Sequence, residues 1–170
     1  MPTKTPREMF VTLLSDARQS TERSIRIYQE ISQVAQDPDI KEALESRAWI
    51  TEKDLSAIDR CFELIGEKPV PLTFLGRLQE VVAEEFRKEL GEIQNPGAKA
   101  LFVLATAHKL VNLRIAEYAT LVAAADLTGH YAVGVLLESC LADKMAFVER
   151  NRRLVRNYVA NKLAAKVAAA

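Results

Sequence analysis

Helix-breaking residues are rare in this chain and gather at a few places. The 170 residues include six glycines and six prolines. Most of them lie in four short segments, residues 37–39, 66–71, 91–97 and 128–129. Between these segments the apolar residues recur at intervals of three and four, which is the spacing of one face of an α-helix. No alternating strand pattern competes, so the sequence predicts an all-α protein.

The breaks divide the chain into four long predicted helices and one short one. They cover about residues 6–35, 38–65, 74–90, 96–127 and 130–160. Asp37 precedes Pro38 as a predicted N-cap, and Gly66 is placed to end the second helix in the left-handed conformation. Short turns make two antiparallel hairpins, and a long connection carrying the short helix joins them. This is the layout of an up-down four-helix bundle with one crossover, as in ferritin-like folds.

Length and charge narrow the classes of protein to be considered. The length predicts one domain, residues 1–163, followed by an alanine-rich tail, 164–170, that either continues the last helix or frays. Lys plus Arg equals Asp plus Glu, at 23 each, which argues against a nucleic-acid or membrane-surface binder. With no secretory signal and no long apolar run, we expect a cytoplasmic protein. Cys61 and Cys140 are predicted to be buried free thiols, with a disulfide or redox role as the alternative.

Three segments together resemble a known bacterial family. They are FELIGEKP at 62–69, IAEYATLVAAADLTG at 115–129 and LLSDARQSTERSI at 13–25. In order and spacing they are similar to the YciF/YciE-type ferritin-like proteins over about residues 9–155. The resemblance implies a ferritin-like bundle that forms a homodimer and is associated with stress responses, without a settled biochemical activity.

This sequence lacks the most recognisable element of the metal site that such bundles hold. A ferritin-like dinuclear site takes one carboxylate from each of two helices and a Glu-x-x-His pair from each of the other two, a ligand set that suits iron or manganese. This sequence has no Glu-x-x-His. The residue three positions before His108 is Ala105, and three before His130 is Leu127. We therefore do not expect an intact site.

The resemblance, carried over position by position, indicates what replaced the ligands. Glu22 matches the family's glutamate on the first helix, and Asp54 and Asp143 match further polar positions. The remaining ligand positions fall on apolar, amide or cationic residues, namely Trp49, Ile50, Val111, Asn112, Leu113, Arg114 and Lys144. The predicted remnant is thus a cluster of Glu22, Asp54, Arg114 and Asp143.

Buried carboxylates without a cation are costly, and a guanidinium can bind two of them. We hypothesise that Arg114 takes the charge role of the lost metal and faces some of the three carboxylates, with Arg18 or Arg47 joining or substituting. The alternative is that Glu22, Asp54 and Arg114 lie on solvated faces.

Other conspicuous residues have simpler interpretations. His108 is predicted at the core or its boundary, and His130 at the surface. Trp49 is predicted to pack at a dimer or hairpin contact. The run ERNRRLVRN, 149–157, is interpreted as a solvated helix face, with an anion-binding or partner patch as the alternative.

The sequence favours a non-enzymatic, ferritin-like structural or stress-associated protein that has a degenerate metal site and needs no cofactor. The alternative is a di-iron or di-manganese oxidase or storage protein. A small-molecule pocket in the bundle core is a third hypothesis. No phosphate-binding loop, nucleophile elbow or zinc-type cysteine pair points to other chemistry.

Overall fold

A computed structural model describes residues 4–71 and 77–168 of the chain, and within them all regular structure is helical. The helices are α1 (Pro6–Val34), α2 (Pro38–Ile65), α3 (Arg77–Glu92), α4 (Pro96–Leu127) and α5 (Tyr131–Ala168). This confirms the predicted all-α class and the order of four long helices and one short one. The predicted start of the short helix, at residue 74, lies outside the described residues.

The predicted helix ends on α2 and α4 are confirmed by their capping geometry. The Asp37 side chain accepts hydrogen bonds from the backbone N–H groups of Asp39 and Ile40, and Gly66 ends α2 at φ 68°. Asn95 caps α4 in the same way as Asp37 caps α2. These side chains satisfy backbone donors that a helix start leaves free.

The last helix passes residue 160 and takes the first of the two predicted alternatives for the tail, continuation of the helix. α5 has 38 residues and continues through the alanine-rich segment as far as Ala168, whereas α4 has 32. Because a short turn joins the two antiparallel helices, the six extra residues carry α5 about 9 Å past the start of α4. The C-terminal part of α5 therefore projects from the body of the molecule.

The four long helices enclose a core that is divided in two. α1 packs against α2 and α4, α5 packs against the same two helices, and α3 lies across α1 and α4. One apolar cluster includes Ile31, Leu44 and Phe147. The other includes Phe10, Ile58 and Leu137. Between them lies a layer of buried polar and charged side chains, which we call the polar layer.

The two cysteines lie in the core as free thiols, as predicted. Burial raises the pKa of Cys61 and that of Cys140 to about 12. Since the thiolate is the reactive form of cysteine, both side chains are poor nucleophiles at neutral pH.

Among the described helices, none combines the length and apolarity that crossing a bilayer requires.

Candidate functional site

The centre of the polar layer is a buried carboxylate held by two cations. Asp54 on α2 accepts a hydrogen bond from Arg47 Nη2 at 2.6 Å and another from Lys144 Nζ at 2.7 Å. All three side chains are only 2% exposed. Arg47 lies seven residues before Asp54, two turns along the same face of α2, and Lys144 reaches across from α5. The three residues thus tie α2 to α5 in the middle of the bundle.

Arg47 is only partly satisfied by Asp54. Its Nε and Nη1 atoms are buried without a hydrogen-bond partner in the described part of the chain. The guanidinium carbon instead lies 6.0 Å from the ring centroid of Tyr28 and 5.9 Å from that of Phe147. Aromatic faces attract cations at this range. Arg47 is therefore stabilised by one charged hydrogen bond and two rings.

Lys144 is a buried amine, and its surroundings shift its pKa in opposite directions. Burial lowers the pKa of Lys144 to about 8, while the neighbouring Asp54 carboxylate opposes this shift and Arg47 adds to it. The ammonium nitrogen also donates to the Cys140 carbonyl at 3.2 Å and lies 3.6 Å from the Tyr118 ring centroid. Near neutral pH the side chain is mostly charged, with its three donors directed at a carboxylate, a carbonyl and a ring.

Arg114 on α4 extends the layer to α1. Its Nη2 atom donates to the Ala17 carbonyl at 2.8 Å and to Thr21 Oγ1 at 2.6 Å. Its Nη1 atom pairs with Glu117 one turn along α4. Glu117 is half-buried, and burial raises the pKa of its carboxyl group while Arg114 opposes the shift.

Further hydrogen bonds complete the layer and bring α3 into it. Tyr118 Oη lies 3.0 Å from Thr21 Oγ1, a contact that joins α4 to α1. Gln79 on α3 is 2% exposed. In the amide orientation that satisfies its neighbours, it donates to the Ser20 carbonyl at 2.8 Å and accepts from Arg114 Nη1 at 3.1 Å.

The layer carries an excess of positive charge. Arg47, Arg114 and Lys144 are almost fully buried, whereas Asp54 is the one carboxylate buried to the same degree among the described residues. Three buried cations thus face Asp54 and the half-buried Glu117, and the surplus positive charge disfavours a metal dication. The space that these side chains enclose has no room for a water molecule, so the predicted small-molecule pocket is not formed here.

Two members of the predicted remnant cluster belong to the layer and two do not. Asp54 and Arg114 are buried there, and no hydrogen bond or ion pair joins them. Glu22 and Asp143 are exposed. This corrects the predicted membership of both carboxylates, since a one-residue difference in helix phase turns a side chain by about 100°.

Of the two arginines expected to join or substitute for Arg114, Arg47 lies in the polar layer and Arg18 lies at the surface. Arg18 forms surface pairs with Asp59 at 2.6 Å and with Glu22 at 3.9 Å. Arg47, not Arg114, is the arginine that binds Asp54. The carboxylate that the hypothesis assigned to Arg114 is bound instead by Arg47 and Lys144.

Three of the remaining positions that match family ligands hold apolar side chains. Val111 is fully buried in the apolar core, Ile50 is half-buried, and Trp49 is 58% exposed with Lys53 over its ring. Among the described residues, no three His, Cys, Asp or Glu side chains come together in a way that could hold a metal ion. The residues present do not fit a di-iron or di-manganese centre.

The histidines lie away from the layer. His108 is half-buried, as predicted, and His130 stacks on Phe10 with ring centroids 5.6 Å apart. His130 is thus less solvated than predicted.

Sequence reasoning missed several members of the layer. Lys144 was recognised only as a lost ligand, and Thr21, Thr51 and Gln79 were not singled out. One signal was available, because Ser20, Thr21 and Ser24 follow a helical spacing on the buried side of α1. Small polar residues on a core-facing stripe indicate a buried hydrogen-bond network.

Fold and site together define an all-helical protein whose core is divided by a buried layer of ion pairs. The model of the family described as a domain of unknown function, DUF892, matches residues 5–164. The chain belongs to this family, and the resemblance to YciF-type proteins is confirmed. No curated protein matches the chain by sequence.

Solved structures share the fold at low sequence identity. The E. coli stress protein YciF is 22% identical with a TM-score of 0.86, covering 93% of this chain and 99% of its own. YcfI from Rhodopseudomonas palustris, described as a candidate structural protein, is 21% identical with a TM-score of 0.83, covering 88% and 94%. A Xanthomonas campestris protein is 20% identical with a TM-score of 0.70, covering 94% and 99%.

Proposed function

We propose that this chain is a ferritin-like bundle that works as a structural, stress-associated protein without redox chemistry. In this proposal, the polar layer stands where related bundles hold metal. The observation that carries it is the Asp54 carboxylate, which binds the two cations Arg47 and Lys144 through Oδ2 and has no second buried carboxylate beside it among the described residues. The descriptions of YciF as a stress protein and of YcfI as a candidate structural protein agree with this role.

The physical argument is one of charge replacement. A dinuclear site neutralises several inward carboxylates with two dications. Here most of those carboxylates have been replaced, and the remaining one is neutralised by side-chain cations that cannot be lost by chelation or change of oxidation state. A bundle closed in this way keeps its helices together under conditions in which metal is scarce or oxidants are present.

Metal loading tests this proposal. The purified protein would be incubated with Fe(II) in air, and separately with Mn(II), then desalted and measured for bound metal by mass spectrometry. We expect no stoichiometric metal and no faster iron oxidation than in buffer. About two metal ions per chain, the number of a dinuclear site, would contradict the proposal and establish the di-iron or di-manganese alternative.

We further propose that the protein acts as a cytoplasmic homodimer. Trp49 on α2 and Met145 on α5 are 58% and 56% exposed, and they lie on helices that pack against each other. Exposed large apolar side chains are enriched at protein interfaces. Sedimentation of the wild type and of Trp49→Glu checks this. A dimer that dissociates in the variant is expected, and a wild-type monomer at all concentrations would contradict it.

A further inference from the structure

A surface groove between α4 and α5 is unused by the proposed function. It has a volume of about 650 Å³, within the range of about 300–1,000 Å³ that binding pockets occupy. Leu101, Leu104 and Val155 provide its apolar lining, and Lys109 and Arg156 are among the cations at its rim. The groove is open to solvent, whereas the polar layer has no room for a water molecule.

The floor of the groove is held rigid by a buried amide. Asn151 on α5 is 1% exposed, and its Nδ2 donates to the Leu104 carbonyl on α4 at 3.0 Å. This bond crosses between the two helices at the base of the groove. A preformed groove loses less conformational entropy when a partner binds.

The segment of α5 that borders the groove is rich in cations. From Arg150 to Lys166 the sequence has six lysines and arginines and no aspartate or glutamate, although the whole chain is neutral. At the rim, Arg152 pairs with Glu149 at 2.7 Å. Within the described part of the chain, neither Lys109 nor Arg156 has an ion-pair partner. The rim therefore suits a partner that brings carboxylates.

The apolar lining continues along the projecting part of α5. Val159, Leu163 and Val167 follow Val155 at intervals of four residues and are 42%, 59% and 79% exposed. Residues at this spacing share one face of a helix. On the same face, cations recur between the apolar residues, so a mixed apolar and basic strip of about 22 Å extends from Arg152 to Val167.

We propose that the α4–α5 groove and this strip bind an acidic amphipathic helix of a partner protein. A docked helix places anchors at intervals of three and four residues along its length, which matches the repeat of Val155, Val159 and Leu163. Helices that lie on membranes separate their apolar and basic faces, whereas here the two kinds of side chain alternate. Carboxylates beside the partner's apolar anchors meet the cations of the strip.

Binding of synthetic helices to the full chain tests the proposal. The probe is a fluorescently labelled amphipathic peptide of about five turns, with leucine at helical spacing and glutamate beside it. The matched peptide has lysine in place of glutamate. We expect the acidic peptide to bind, with an affinity that falls as salt is raised, and the basic peptide not to bind.

Variants of exposed residues test whether the acidic peptide binds at the groove and the strip. Arg156→Ala is expected to weaken binding by on the order of fivefold, the upper range for one exposed ion pair. Leu163→Asp should weaken it at least as much, because it places a carboxylate on the strip. Arg153→Ala is the matched control, since Arg153 is exposed on α5 and does not line the groove. Circular dichroism checks that all variants stay folded.

Several outcomes would overturn the proposal. These are equal binding of the two peptides, loss of binding in Arg153→Ala to the same extent as in Arg156→Ala, and no binding of either peptide. Binding to vesicles of anionic lipid without binding to the acidic peptide would make the surface a membrane contact instead. Self-association that Leu163→Asp abolishes would make the occupant a second copy.

Discussion

Asp54 supplies the negative charge that compensates two buried cations of the polar layer, Arg47 and Lys144. Asp54→Asn keeps the shape of the side chain and removes its charge, leaving Arg47 and Lys144 uncompensated. Breaking a buried ion pair in this way costs about 3–5 kcal/mol, and we expect a loss of this order in the free energy of unfolding measured with urea.

The matched control is Asp59→Asn on the same helix. Asp59 pairs with Arg18 at 2.6 Å, but the two side chains are 46% and 32% exposed. Surface pairs of this kind contribute less than about 1 kcal/mol. Equal losses in the two variants would show that the ion pairs of the polar layer add no more than surface pairs.

Lys144 should make stability depend on alkaline pH. Its folded-state pKa of about 8 is below the ordinary value of 10.5. Between these two values the unfolded chain holds a proton that the folded protein has released, so this group raises the free energy of unfolding as pH increases. Below about pH 8 both states are protonated, and Lys144 contributes no pH dependence.

Other buried groups make stability fall as pH rises, so their contribution has to be separated from that of Lys144. Burial raises the pKa of Cys61, Cys140 and Tyr28 to about 12, so these groups lower stability at high pH. Lys144→Met retains all three. We expect the stability of the wild type relative to Lys144→Met to increase between about pH 7.5 and pH 10. A constant difference in urea unfolding across this range would contradict the assignment.

At the scale of single helices, the ends are set by local chemistry that the sequence displays. Gly66 has φ 68°, and no atom lies near the place where a Cβ would be. The cost of Gly66→Ala is therefore conformational, about 1–2 kcal/mol for a left-handed non-glycine residue. Thermal unfolding should show a lower melting temperature.

Gly91→Ala is the corresponding control on α3. Gly91 also has open space around its Cβ position, but it lies within a helix and its φ is not positive. Alanine is favoured over glycine in the middle of a helix by about 0.5–1 kcal/mol. Because Gly91 is the penultimate residue of α3, we expect a stabilisation smaller than this. A loss of stability in Gly91→Ala similar to that of Gly66→Ala would show that the left-handed conformation is not the cause.

The helix order and the caps of α2 and α4 could be predicted because each depends on neighbouring residues only. Asp37, Gly66 and Asn95 act within one turn of their own positions. The position of α3 could not be derived in the same way. It is fixed by Gln79, whose partners Ser20 and Arg114 are distant in sequence, and by the Phe86–Phe102 stack, with ring centroids 5.5 Å apart.

For the whole molecule, the polar layer separates two apolar clusters, and its contribution to stability can be compared with that of an apolar core. Replacing a buried ion cluster with apolar residues of similar size is often neutral or stabilising by about 1–4 kcal/mol. We expect the triple variant Arg47→Met, Asp54→Leu, Lys144→Met to unfold at the same urea concentration as the wild type or a higher one. Asp54→Leu alone should be strongly destabilised.

Comparing the triple variant with Asp54→Leu alone distinguishes two possible roles of the polar layer. If the triple variant is as destabilised as the single one, the layer is a source of stability. If the triple variant is stable, the layer instead fixes which helices face each other, because buried charges tolerate only the arrangement that pairs them. Near-ultraviolet circular dichroism would then show whether the triple variant keeps a unique packing.

The sequence by itself determined the all-α class, the order and ends of most helices, and the absence of Glu-x-x-His, since these follow from local spacing and from residue identity. Only the tertiary structure decided that Asp54 pairs with Arg47 and Lys144, that Glu22 and Asp143 are exposed, and that Arg114 binds α1. Those outcomes depend on the rotation of each helix about its axis. Packing of distant segments fixes that rotation, and an error of one residue moves a side chain from the core to the surface.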